Sequence, residues 1–277
     1  MTDASSPDSV STVRIAEGVA MPRLGFGMFR VAPGTSAREV AAAALTTGYR
    51  LLDTAAVYRN EADVGAAVAV SGLPREEIFV TSKVWNDDQG YATTRAAFER
   101  AHRALGAIDL YLLHWPVAGR RLESWRALED LLLEGRVRAI GVSNFMPRHL
   151  EELLTVARVK PMVNQVELNP FLQQRELVAL CRAEGITLTA YSPLTKGQRL
   201  AHPVLHAAAA RLGCTPAQLL LGWVLDQGHA LVVKSAVPGR MRENLAARNV
   251  VLDDAARESL GALDEGLVTG WDPRQQP

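Results

Sequence analysis

Several things this 277-residue chain has little of narrow its chemistry. Its two cysteines, Cys181 and Cys214, lie far apart and outside any CxxC or Cys/His array. Neither a disulfide framework nor a zinc site can be built from them, and a reducing cytosol is the expected compartment. Neither sign of charge is in excess, with thirty acidic residues against thirty Lys and Arg. That balance excludes a nucleic-acid footprint and leaves a small molecule as the expected partner of a monomer. No stretch approaches the roughly 18 apolar residues of a membrane span. The first twelve residues lack both the basic start and the apolar core of a signal peptide, so they read as a flexible tail before one domain covering residues 13–277.

Lysine is the scarcest cation. Only Lys83, Lys160, Lys196 and Lys234 stand against twenty-six arginines. A compact ammonium with an adjustable pKa does work that a permanently charged guanidinium does poorly, so Lys83 and Lys234 are candidate functional residues on this ground alone.

What the chain does have is alternation. Val13 to Met21 reads as a small hairpin and the stretch from Leu24 as a first strand, after which apolar runs and helical patterns follow in turn. Strands are predicted near residues 49–52, 78–81, 108–113, 137–142, 162–166, 186–190 and 230–233. Helices are predicted over 36–47, 61–71, 93–105, 122–134, 147–156, 175–184 and 216–226, with another from Arg240. Eight strands, each followed by a helix at intervals of about thirty residues, predict an α/β fold of the (β/α)8 TIM-barrel type with a short N-terminal hairpin. No GxGxxG opens a helix, which counts against an open dinucleotide-binding sheet.

Beyond each apolar strand stands a small or polar residue: Gly27, Asp53, Lys83, His114, Ser143 with Asn144, Gln165, Tyr191 with Ser192, and Lys234 with Ser235. In a closed parallel barrel these share one rim, the end where chemistry sits. Tyr58 follows Asp53 by five residues. A phenol with an ordinary pKa of about 10 is a poor acid at neutral pH without a nearby cation, and Lys83 is the cation expected to lower it. Each residue also has a plain structural reading. Asp53 suits a cap, Tyr58 an amphipathic core position and His114 a buried hydrogen-bonded histidine. Ser143 could cap the next helix, and residues 240–244 could be a solvated face. His202 and His206 have helical spacing but no third ligand, so no metal is expected.

The runs Leu52-Asp53-Thr54-Ala55, Tyr58, Thr81-Ser82-Lys83, Leu113-His114-Trp115-Pro116, Gly141 to Phe145, Asn164-Gln165, Tyr191 to Leu194 and Lys234-Ser235 together resemble the aldo-keto reductase family, over about Leu24 to Asn244. The stretch Trp85 to Tyr91 is similar to the bacterial branch that includes 2,5-diketo-D-gluconate reductases. The resemblance implies NADPH-dependent reduction of aldehydes and ketones. Tyr58 would be the general acid, with Lys83 and Asp53 behind it and His114 orienting the carbonyl. It implies NADPH/NADP+ contacts from Gly27, Met28, Asp53, Ser143, Asn144 and Gln165, stacking by Tyr191, and Ser192, Pro193 and Leu194 along the pyrophosphate. Lys234, Ser235 and Arg240 would hold the 2′-phosphate, with Glu243 and Asn244 near adenine. Phe29, Trp85, Trp115 and Trp271, with Met28, are expected to line a substrate pocket. Two departures stand out. Arg59 occupies a position where the family usually has Gly and is expected to alter the loop, and the short stretch after Leu194 is expected to hold the cofactor less tightly. Two other readings stay open: a cofactor-binding sensor or regulatory subunit with negligible turnover, and an aldolase using Lys83 as a Schiff-base nucleophile.

Overall fold

The computed structural model describes residues 10–277. A two-stranded antiparallel hairpin, β1 (Thr12–Ala16) and β2 (Val19–Pro22), precedes eight parallel strands. These are β3 (Leu24–Gly27), β4 (Leu51–Asp53), β5 (Phe79–Val84), β6 (Leu110–Leu113), β7 (Ala139–Ser143), β8 (Val163–Glu167), β9 (Thr187–Tyr191) and β10 (Ala230–Val233). They close in chain order, with β10 pairing back to β3. The tail expected over residues 1–12 lies outside the described residues up to residue 9, and Thr12 already belongs to β1.

Alternate strand residues point into a closed barrel. Leu51, Phe79, Leu110, Leu112, Ala139, Val163, Ala230 and Val232 form its filling, and Ile15, Val19 and Met21 of the hairpin join this cluster beneath the first residues of the strands. Each such Leu or Phe contributes about 1.5–3 kcal/mol by leaving water. Space inside is limited. A Cβ on Gly141 would meet the Val163 carbonyl oxygen at 2.4 Å, and one on Gly25 would meet Leu51 Cδ2 at 2.3 Å. The close approach that Gly25 permits is therefore barrel packing.

Helices α1 (Thr35–Thr47), α2 (Glu61–Ala69), α3 (Tyr91–Leu105), α4 (Arg121–Leu133), α5 (Pro147–Leu154) and α6 (Arg175–Glu184) each follow one strand. After β9 the expected single helix becomes two, α7 (Pro203–Leu212) and α8 (Pro216–Asp226). Thr215 and Gln218 form a reciprocal capping box with Pro216 in the first turn, a strong start signal that sets α8 apart from α7. After β10 come α9 (Pro238–Ala246) and α10 (Asp254–Gly261). Helix α3 begins two residues earlier than predicted, directly after Gly90, whose φ of 121° only glycine adopts freely.

Candidate active site

Continuing the inward register in steps of two residues reaches Gly27, Asp53, Lys83, Ser143, Gln165 and Tyr191 at the carboxyl rim. Hydrogen bonds across the barrel show that they converge. Lys83 Nζ donates to Asp53 Oδ1 at 2.6 Å and to the Thr54 carbonyl at 2.9 Å, and Gln165 Nε2 donates to Asp53 Oδ2 at 2.8 Å. Lys83 is wholly buried. Burial depresses its pKa, while the Asp53 carboxylate works in the opposite sense.

Tyr58 ends a 3-10 turn, Ala56–Tyr58, just beyond β4. Lys83 Nζ lies 5.3 Å from its ring centroid, and the His114 ring is 5.8 Å away, edge to face. Four residues from three strand ends thus form one cluster. The direction of the Tyr58 shift differs from expectation. Burial holds the phenol well above its ordinary pKa, and Asp53 and Tyr191 push the same way. Burial is the largest cause, and it outweighs the nearby Lys83 ammonium, whose hydrogen bonds go to Asp53 and Thr54. His114 is pushed well below its ordinary range by burial and by the Lys83 charge, and its Nδ1 is buried with no hydrogen-bond partner among the described residues. Both influences favour the neutral imidazole.

Arg59 takes the left-handed backbone, φ 57° and ψ 25°, that a glycine would adopt without strain. The loop therefore keeps its turn, and the substitution is absorbed as local strain. Behind it Asn60, fully buried, donates to the Met28 and Val31 carbonyls at 3.0 and 3.1 Å and accepts from Thr54 Oγ1 at 2.6 Å.

Above the cluster the aromatic residues form a chain of ring contacts. Phe29 lies 5.2 Å from Tyr58, Trp85 lies 5.2 Å from His114, and Trp271 stands 6.4 Å from Trp85 and 5.9 Å from Trp115. Phe29 and Trp271 are exposed, Trp85 half-buried and Trp115 nearly buried. Met28 is fully buried, its backbone N–H donating to the Asp53 carbonyl at 2.8 Å, and the next residue, Phe29, is exposed at the opening.

Beside this opening lies a polar shelf. Ser143 Oγ donates to the Gln165 carbonyl at 2.8 Å, and Asn144, at φ 64°, donates to the His114 carbonyl at 3.0 Å and accepts from Tyr191 Oη at 2.7 Å. Ser192 follows in the left-handed region at φ 48°, then Pro193, buried, and Leu194. Further along, Lys234 and Arg240 are exposed on either side of buried Ser235, and neither has an ion-pair partner among the described residues. Glu243 accepts from Thr215 Oγ1 at 2.7 Å, so its carboxylate serves the start of α8, and Asn244 is buried. Among the described residues no group of His, Cys, Asp and Glu could hold a metal, and no helix is long and apolar enough to cross a membrane.

The sequence profile of the Aldo/keto reductase family matches residues 23–265. The chain belongs to this family. Among similar aldo/keto reductases, the glyoxal reductase of Bacillus subtilis is 46% identical over 264 residues, covering 95% of this chain and 96% of that protein. The 9,11-endoperoxide prostaglandin H2 reductase of Trypanosoma cruzi is 43% identical over 266 residues, covering 94% of each. Among solved structures, a mutant of Gox0644 in complex with NADPH aligns with a TM-score of 0.91 at 37% identity, over 96% of this chain and 98% of that one.

Within this aldo/keto reductase chain, sequence reasoning missed Asn60 and Glu167. Glu167 had a usable signal, standing two residues past Gln165 on the inward face of β8 and ending that strand. Asn60 had none, because its partners are main-chain carbonyls of another loop.

Proposed function

We propose that the protein reduces aldehydes and ketones to alcohols with NADPH, and that Tyr58 is the proton donor. The observation that carries this reading is the placement of the Tyr58 ring beside the buried Lys83–Asp53 pair and the His114 ring, under an aromatic opening. NADPH complexes among its structural neighbours and a glyoxal reductase among its relatives support it. The residues suit the dinucleotide. Exposed Lys234 and Arg240 flanking Ser235 offer unpaired cations to a phosphate, and the Tyr191 ring with the Gln165 and Asn144 amides suits a flat, amide-bearing ring.

When bound, NADPH supplies the hydride that reaches the carbonyl carbon. As negative charge grows on the carbonyl oxygen, Tyr58 hands over its proton, and the neutral His114 imidazole orients that oxygen by a hydrogen bond. The Lys83 ammonium, fixed by Asp53 and Thr54, favours the phenolate left behind. Gln165, by sharing Asp53, ties the nicotinamide shelf to this pair. Lys83 itself is poorly suited to Schiff-base chemistry, since it is wholly buried and held by two short hydrogen bonds.

The test is NADPH oxidation with glyoxal or an aromatic aldehyde as acceptor. Tyr58→Phe is expected to lower kcat by about 10²–10⁴-fold while leaving NADPH affinity intact. Equal turnover by the variant would remove Tyr58 from the reaction, and tight NADPH binding with no oxidation by the wild type would favour the sensor reading.

A further inference from the structure

The segment carrying Trp271 packs at its ends, through Leu267 and buried Pro273, while Trp271 itself is 69% exposed. Residues 266–274 border a cavity of about 520 Å³, lined on the barrel side by Met146, Leu172 and Leu177 and on the tail side by Val268 and Pro273. A loop over a hollow is held by its polar contacts or not at all. Leu267 N–H donates to the Phe171 carbonyl at 3.0 Å and Arg148 to the Arg274 carbonyl at 3.0 Å, and between these two ends the contacts fall on Thr269, two residues before Trp271. Its hydroxyl donates to Glu167 Oε1, and its backbone N–H lies 3.1 and 3.2 Å from the two Glu167 oxygens. Its carbonyl accepts from Lys196 Nζ at 2.7 Å. Every polar group of Thr269 is thus engaged, from the end of β8 and from the turn after Leu194.

We infer that Glu167 and Lys196 are positioning residues for substrate selection, gripping Thr269 so that Trp271 stands against Trp85 and Trp115 as the outer wall of the pocket. The two are well placed for this. Glu167 is buried, with its pKa raised by burial against the Thr269 bonds, and it lies on the strand that carries Gln165. Lys196 sits in the short turn after Leu194, held at φ 50° next to Thr195 at φ 51°. The same turn is fastened to the tail a second time by the Arg199–Glu265 ion pair at 2.7 Å. The short turn expected to leave the cofactor loosely held is therefore tied to the segment that walls the substrate, and Lys196 joins Lys83 as a lysine with a specific task. The grip governs bulky acceptors only, because a small dicarbonyl does not reach the outer wall.

This inference rests on the reductase reading, and phenylglyoxal and methylglyoxal, which share a reacting group and differ by one ring, test it with NADPH. Thr269→Val and Lys196→Met are each expected to raise KM for phenylglyoxal about fivefold to tenfold, the share of one aromatic contact. In the same variants kcat and the KM for methylglyoxal should stay within about twofold of wild type. In a Trp271→Phe background the Thr269→Val effect should vanish, since both changes remove the same wall. A KM rise shared by both substrates, a fall in kcat, or full additivity with Trp271→Phe overturns the proposal. If the wild type reduces neither compound, the reductase reading fails on its own. Acrylamide quenching of Trp271, taken as the difference from Trp271→Phe, then still tests the grip, which is refuted if quenching is unchanged by Thr269→Val.

Discussion

Asp53 and Asp109 are both buried carboxylates on the barrel wall, and each is held by cations from elsewhere in the chain, at opposite ends of the sheet. Asp109 precedes β6 at the amino end and accepts from Arg75 at 2.8 Å, Arg138 at 3.0 Å and the Val80 backbone N–H at 2.8 Å. Its guanidinium partners are 34% and 45% exposed, so their charge is largely solvated and the joint costs little desolvation. Asp53 ends β4 at the carboxyl end, and its partner Lys83 has no exposure at all. A wholly buried ammonium is an expensive way to fasten a sheet when arginines are plentiful, and it makes sense where its charge is used on a neighbour. The contrast teaches that the two joints differ in the burial of the cation more than of the acid, which is the difference expected if Asp53 and Lys83 serve the proposed reaction.

The sharpest way to break that contrast is Lys83→Met, expected to lower kcat/KM by about 10²–10³-fold, the scale of losing one preorganised electrostatic group. Steady-state kinetics on the folded variant decide it, and near-normal turnover would place Lys83 with the structural joints. Asp109→Asn should do the reverse. The loss of its charge-assisted bonds is expected to cost about 2 kcal/mol of stability, read from the urea midpoint, with kcat within about twofold of wild type. The mildest test varies pH. Tyr58, held above its ordinary pKa, keeps its proton and His114, held below its own, stays neutral, so the rate of carbonyl reduction should be flat from about pH 6 to 9. Activity should fall only at higher pH, as the phenol ionises and loses the proton that the proposed mechanism assigns to it. A break near pH 6.5 would mean instead that His114 titrates.

The strand order was legible because each barrel strand is a short apolar run buried on both faces, and the rim residues follow from the two-residue period that fills the interior. Helices α7 and α10 were not read. In α7 alanines at positions 207–210 blur the apolar stripe, and only the spacing of His202 and His206 hinted at it. Contacts joining distant segments left no local trace. Gln165 meets Asp53 across 112 residues, and Glu167 meets Thr269 across 102. The direction of the Tyr58 shift was not legible for a related reason, since the sequence places Lys83 near the phenol but does not show how far burial and Asp53 act on it.

The N-terminal hairpin, seated against the first residues of the strands, works as a stopper. With the barrel behind it filled by side chains, the hairpin closes the amino end of the core, and the polar rim at the carboxyl end is left as the face that opens outward.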